Sequence, residues 1–96
     1  MPLYAVLATW TEEGIRTVKQ SPQRSDALQR AVEAAGGRVL SFLHTMGPYD
    51  VVATLELPSD EVLNEIMLRS GMQGFVRTET LKGWTGPEYA ELVRRI

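Results

Sequence analysis

The spacing of hydrophobic positions changes along the chain and marks a succession of strands and helices. Residues 3–9 are apolar, β-branched or aromatic with little polar interruption, which is typical of a largely buried strand. Apolar residues then recur at helical spacing as far as the glycine pair at 36–37. Pro22 disfavours an unbroken helix, so we expect a bend there, with Ser21 as the N-cap of a second helix.

Strict alternation of side chains follows this helical segment and predicts a pair of strands. Phe42 and His44 fall on one face of the first strand, while Val39 falls on the other. Residues 47–50 read Gly-Pro-Tyr-Asp, which is a strong turn signal. Residues 51–57 form the second strand of this pair, which is the third strand of the chain. Two strands separated by so short a turn predict a hairpin.

The last third of the chain supplies a second helix–strand unit. Ser59 begins a helix with acidic residues in its first turn, and residues 75–81 form a fourth strand. Thr85 and Glu88 match a capping box that opens a terminal helix. The order βαββαβ predicts one α+β domain over residues 1–96. Its ferredoxin-like fold has a four-stranded antiparallel sheet, both helices on one face, and a C-terminal helix in addition.

Such a sheet has a second face that must be polar or covered. In the third strand Val51 and Leu55 point to one side, but Val52 points to the other, so both faces carry apolar residues. An apolar face of this size favours a partner, and two copies packed sheet to sheet would make a dimeric α/β barrel. The alternative is that the terminal helix folds over the same face.

Composition removes several classes of function. The 96 residues include 10 basic and 12 acidic side chains, which gives a net charge of −2 and argues against a nucleic-acid partner. There is no cysteine, so disulfides, thiolate metal sites and cysteine nucleophiles are excluded. A lone histidine cannot form a multi-histidine metal site, although it leaves a haem axial ligand as an alternative, and we expect no metal and no cofactor. Neither a signal peptide nor an apolar run of about 20 residues is visible. We therefore expect a soluble cytoplasmic protein without a membrane partner.

Four segments together give the chain a resemblance to a known family. They are residues 11–15 (TEEGI), 19–24 (KQSPQR), 45–50 (TMGPYD) and 76–81 (VRTETL). This set, in this order, resembles the GYD-domain family over residues 3–84, although Pro48 interrupts the Gly-Tyr-Asp triplet for which the family is named. The resemblance implies a ferredoxin-like protein of dimeric α/β-barrel type from bacteria or archaea. It implies no activity, because the family is largely uncharacterised.

Three candidate catalytic residues surround the predicted hairpin. Tyr49 and Asp50 would bring a phenol and a carboxylate to the mouth of a pocket, where they could exchange or orient a proton. The alternative is structural: Asp50 accepts backbone N–H groups of the turn and Tyr49 packs over the end of the sheet. His44, the one histidine, is a candidate general base, or else a packed residue of the strand or of an interface.

Four more residues are candidates for ligand binding. Arg24 lies at the N-terminus of the second helix, which attracts anions through its free N–H groups, although a plain cap with solvated basic neighbours is the alternative. Arg77 and Glu79 share one face of the fourth strand. They would hold an anionic ligand, form interfacial ion pairs, or protect a sheet edge as solvated charges. Trp10 is a candidate aromatic wall of the pocket.

These residues support two functions. The first is small-molecule binding or cofactor-independent catalysis in a pocket near residues 47–50. The alternative is a non-enzymatic oligomeric or interaction module that uses the open sheet face. The expected partners are a second copy of the chain and a small-molecule ligand.

Overall fold

A computed structural model describes all 96 residues of the chain. The elements are β1 (Leu3–Trp10), α1 (Glu12–Arg16), a 3₁₀ turn (Val18–Gln20), α2 (Ser21–Ala34), β2 (Arg38–His44), β3 (Val51–Glu56), α3 (Asp60–Met72), β4 (Val76–Gly83) and α4 (Gly86–Arg94). The strands form one antiparallel sheet in the order β2-β3-β1-β4. The predicted α+β ferredoxin-like arrangement is confirmed. The sheet of one chain is open, so the barrel predicted from two copies stays a prediction.

Three of the helices begin with a hydroxyl side chain that accepts a free N–H group in the first turn, as the sequence predicts for Ser59 and Thr85. Thr11 accepts from the backbone N–H of Gly14 at the start of α1, and Ser59 accepts from Val62 at the start of α3. At α4 the side chains of Thr85 and Glu88 each accept the other residue's backbone N–H, which is the capping box.

The start of α2 differs from the prediction. Ser21 is not an extended N-cap: it has helical backbone angles, φ −60° and ψ −35°, and it is a buried first residue of the helix. The 3₁₀ turn runs directly into α2 through Gln20, at φ −92° and ψ 0°, and no side chain caps the junction. A continuous turn leaves no extended residue, so a serine there has no N-cap position to fill.

A bulge in β2 changes the predicted facing of one residue. The register with β3 shifts between Val39 and Ser41, so that Val39 lies opposite Leu55 and Phe42 lies opposite Ala53. A bulge inserts one extra residue and reverses the alternation beyond it. The prediction that Val39 faces away from Phe42 is therefore wrong, and both residues lie on the side of the helices.

The core lies between the sheet and the helices α2 and α3. Its buried members are Tyr4, Val6, Val32, Ala53, Leu55, Leu57, Leu63 and Met67. At one point the backbone itself closes the core: a Cβ at Gly37 would lie 2.3 Å from the carbonyl oxygen of Glu56 and 2.6 Å from Leu57 Cδ2. Only glycine permits so close an approach.

The terminal helix does not cover the other face of the sheet. Every residue of α4 except Leu92 is exposed, including the large apolar side chains of Tyr89 and Val93. The alternative in which α4 folds over the open face is therefore wrong for the single chain. None of the helices combines the length and the apolar character that crossing a membrane requires.

Candidate functional site

A groove runs between α2, α3 and the sheet, with a volume of about 460 Å³. Three of the seven residues that α2 presents to it are alanines, and Ala27, Ala31 and Ala34 remain exposed along its length. Further small residues, Ala8 and Ala53, lie on its floor in the sheet. Because these side chains are short, they leave space between the two helices that larger residues would fill.

Arg24 lies at the end of the groove where α2 begins. Its guanidinium carbon is 4.1 Å from the centre of the Phe75 ring, a cation–π contact. Its terminal nitrogens donate only long hydrogen bonds, of 3.4 Å, to Gly14 and Thr17. The Nε atom is buried without a hydrogen-bond partner, and no carboxylate pairs with the guanidinium. Arg24 therefore has a charge and a donor that the protein leaves unsatisfied.

His44 lies beside the same end of the groove and contacts residues that line it. Its Nε2 lies 3.0 Å from the hydroxyl oxygen of Ser25, which lines the groove. The Trp10 ring stacks on the imidazole, with centroids 6.3 Å apart, and the Phe42 ring meets it edge-on at 5.7 Å. The imidazole can hold or polarise the serine hydroxyl. Sequence reasoning missed Ser25, because 19 residues separate it from His44 and no local motif joins them.

The predicted hairpin residues do not form one cluster with the histidine. The Asp50 carboxylate accepts the backbone N–H of Trp10 at 2.8 Å, so it joins the hairpin to the end of β1. The Tyr49 hydroxyl donates to Glu79 at 3.3 Å. Glu79 belongs to the face of the sheet opposite the helices, whereas His44 contacts α2. The three candidate catalytic residues are thus divided between the two sides of the sheet.

Arg77 and Glu79 lie on the open face, as the shared facing predicted. The register places Arg77 opposite Thr9, Glu79 opposite Leu7, and Leu81 opposite Ala5. Arg77 makes no ion pair and no side-chain hydrogen bond. The four candidate ligand-binding residues therefore fall into two sets, Trp10 and Arg24 in the groove and the β4 pair on the open face.

The open face is apolar across its centre. Its residues are Leu3, Ala5, Leu7, Thr9, Arg38, Ser41, Leu43, Val52, Thr54, Glu56, Arg77, Glu79 and Leu81. Arg38 and Glu56 form an ion pair at one end of the face. Leu43 on β2 is 58% exposed and Leu81 on β4 is 57% exposed. No helix of the chain shields them, so the face is available to another molecule.

A second polar cluster, absent from the sequence-based expectations, lies where α3 begins. The buried Tyr4 hydroxyl donates to the Asp60 carboxylate, which also pairs with Lys82 at 3.1 Å. Burial, and then the hydrogen bond to Asp60, raises the pKa of Tyr4 to about 12. The hydrogen bonds from Tyr4 and Lys82 lower the pKa of Asp60. The cluster therefore gives the buried Tyr4 hydroxyl a hydrogen-bond acceptor, and Asp60 and Lys82 are already paired within it.

The fold and the two faces define a small α+β protein with an uncovered sheet. Within that class, the family model for the GYD domain matches residues 4–93, and the chain belongs to the GYD domain family. It is similar to the "glutamine synthetase and cystathionine beta-lyase binding protein" of Thermus thermophilus. The two are 32% identical over 83 residues, which cover 85% of this chain and 87% of the relative.

A solved structure supports the fold. The chain is similar to a crystal structure of a protein from Thermus thermophilus, with a TM-score of 0.55 and 26% identity. The match covers 90% of this chain and 96% of the other.

Proposed function

We propose that this chain is a non-enzymatic interaction module that assembles through the open face of its sheet, with a second copy of itself as the first occupant. The observation that carries the proposal is the uncovered apolar centre of that face, formed by Leu7, Leu43, Val52 and Leu81. Removing such side chains from water gains about 25 cal/mol per Å². Two sheets packed face to face achieve this at a separation of about 10 Å.

The sheet face alone is somewhat smaller than a stable two-copy interface requires. Four strands spaced about 4.8 Å apart and about 24 Å long make a face of roughly 450 Å² per copy. Two copies therefore bury about 900 Å², which is about a quarter less than the lower end of stable interfaces, about 1,200 Å². The exposed apolar side chains of α4, Tyr89 and Val93, are available to supply the remainder.

Charges at the edge of the face also suit a second copy. Arg77 and Glu79 lie two residues apart on β4 and carry opposite signs. In a two-fold assembly the same patch meets itself, so Arg77 of each copy can pair with Glu79 of the other. A patch of one sign would repel its own copy.

The relative named above supports binding to further proteins, because its name states that it binds glutamine synthetase and cystathionine β-lyase. Catalysis near residues 47–50 has less support. The Asp50 carboxylate and the Tyr49 hydroxyl already have protein partners, and His44 lies on the other side of the sheet. We infer that the first activity to test is assembly.

A charge placed on the open face tests this proposal. Leu43→Arg should convert a dimer to a monomer in sedimentation equilibrium, because each copy would bury an unpaired charge in the interface. Leu68→Arg is the matched control, since Leu68 is 60% exposed on the outer side of α3 and Leu43 is 58% exposed. A wild-type chain that stays monomeric at 100 μM, or a Leu43→Arg variant that stays dimeric, would refute assembly through this face.

The same variants test the binding of other proteins. Immobilised glutamine synthetase and cystathionine β-lyase of Thermus thermophilus are the probes, and the Thermus relative is the positive control. We expect the wild type and Leu68→Arg to bind at least one enzyme and Leu43→Arg to bind neither. Binding by the relative alone would restrict the proposed function to self-association.

A further inference from the structure

The groove on the helix side lies on the opposite side of the sheet from the proposed interface, so assembly leaves it free. We propose that it binds an amphipathic monocarboxylate, with the apolar part along the groove and the carboxylate on Arg24. The volume of about 460 Å³ lies within the range of small-molecule pockets, about 300–1,000 Å³.

The body of the groove suits an apolar chain. Its floor and walls include Ala8, Ala53, Leu28 and Ile66, and two thirds of the lining residues, 16 of 24, are hydrophobic. Exposed alanines along α2 keep the groove open from the outside. An apolar ligand of about eight carbons would bury surface that the chain itself leaves to water.

The end of the groove suits one carboxylate. The Arg24 guanidinium rests on the Phe75 ring, so its plane is held, while its Nε–H has no acceptor. A carboxylate can accept two parallel N–H bonds from such a group. It would supply the missing countercharge and give the terminal nitrogens a closer acceptor than Gly14 and Thr17 provide at 3.4 Å. The Ser25 hydroxyl can also donate to the carboxylate when His44 Nε2 carries a proton and donates to the serine oxygen.

The other charges that face the groove limit the ligand to one negative group. Glu65 and Arg69, one turn apart on α3, line the groove, and neither pairs with another charged side chain. Two arginines and one glutamate leave a net charge of +1 there. A second carboxylate on the ligand would meet Glu65, and like charges at close range oppose binding.

Titration with octanoate and with 1-octanol tests the proposal. Trp10 lines the groove and the only other tryptophan is Trp84, so the Trp84→Phe variant reports binding through Trp10 fluorescence, with calorimetry as a second readout. We expect octanoate to bind at least tenfold more tightly than octanol at pH 7. Absence of octanoate binding up to 5 mM, or equal affinity for the two probes, would overturn the proposal.

Two substitutions separate the charge from the groove. Arg24→Met should weaken octanoate at least tenfold and leave octanol unchanged, which also shows that the groove is intact. Arg30→Met on the same helix, outside the groove and without an ion pair, should change neither. An Arg24→Met variant that keeps its octanoate affinity would disprove the role of the guanidinium.

Filling the groove gives the complementary result. Ala31→Trp should abolish binding of both probes, because the new ring would occupy the space beside α3, and Ala31 is exposed enough to accept it. Leu43→Arg on the open face should leave octanoate binding unchanged. Failure of this proposal is thus distinguishable from failure of assembly. Octanoate binding that survives Ala31→Trp would place the ligand elsewhere and refute the assignment.

Discussion

The packed core and the groove lie under the same two helices, and they differ in how completely side chains fill the space. In the core, Val32 of α2 and Leu57 after β3 are fully buried, and Gly37 allows two backbone segments almost to touch. In the groove, the same helix presents Ala27 and Ala31, and the space stays open.

Their polar groups differ in the same way. The buried hydroxyl of Tyr4 has Asp60 as its acceptor, and Asp60 has Lys82 as its second partner. The buried Nε of Arg24 has none. Leaving a buried donor unpaired costs about 1–3 kcal/mol. The core therefore accounts for the stability of the fold. The groove, which has open space and an unpaired arginine, is the region that can bind a ligand.

Truncating a leucine in each region should show the largest difference. Leu57→Ala should lower the free energy of unfolding by about 2–5 kcal/mol, since a fully buried side chain leaves a cavity. Leu28→Ala in the groove wall should cost only about 1 kcal/mol, because this residue is already half-exposed and borders open space. Urea denaturation measures both, and equal losses would contradict the distinction between core and groove.

A methyl group at Gly14 should have the next largest effect. A Cβ there would lie 1.9 Å from the carbonyl oxygen of Phe75, which also accepts the backbone N–H of Thr11 at 3.1 Å. Backbone cannot yield as a side chain can, so we expect Gly14→Ala to destabilise the fold by about 1–3 kcal/mol.

The matched control for this substitution is Gly71→Ala. Gly71 lies within α3 with open space around its Cβ position, and alanine is the better helix former by about 1 kcal/mol. Thermal unfolding should therefore move in opposite directions for the two variants. A Gly14→Ala variant as stable as the wild type would contradict the close contact between α1 and the backbone of Phe75.

The smallest effect at neutral pH is expected for Tyr4→Phe, about 1 kcal/mol, because the abandoned Asp60 carboxylate is largely exposed and regains water. At alkaline pH the same residue controls stability. Its pKa is raised from 10 to about 12 in the folded state, so folding favours the protonated phenol. That contribution is complete below pH 10 and is lost as the pH rises towards 12.

Denaturation curves from pH 8 to pH 12 measure this loss. The wild type should lose stability above pH 10, and Tyr4→Phe should not show that component. Tyr89→Phe, which removes a hydroxyl from a residue 59% exposed on α4, should leave the pH profile as in the wild type. Identical profiles for the wild type and Tyr4→Phe would show that the buried phenol is not the group responsible.

Local chemistry explains why so much of the fold was predictable. Hydroxyl caps at Thr11, Ser59 and Thr85 act within one turn, and the alternation of Val51, Ala53 and Leu55 is a property of the strand itself. The bulge after Val39 was not predictable, because it depends on how β2 meets β3 and no glycine or proline marks it.

The candidate site was predictable only residue by residue. The sequence singles out Trp10, Arg24 and His44 one by one, but their grouping with Ser25 depends on the contact of α2 with the end of β2. The hairpin residues were adjacent in sequence, and their side chains nevertheless have separate partners, Asp50 at β1 and Tyr49 at Glu79.

The sequence by itself determined the order of elements, the antiparallel sheet, the exclusion of cysteine chemistry and the family, because each follows from local pattern and composition. Only the tertiary structure decided that α4 leaves one face of the sheet uncovered, that small residues keep a groove open on the other, and that Arg24 lies there without a counterion. The physical reason is that exposure, empty volume and unpaired charge are properties of neighbours distant along the chain. The sequence shows which polar and charged groups are present, but only the packed structure shows which of them lack a hydrogen-bond partner or a counterion.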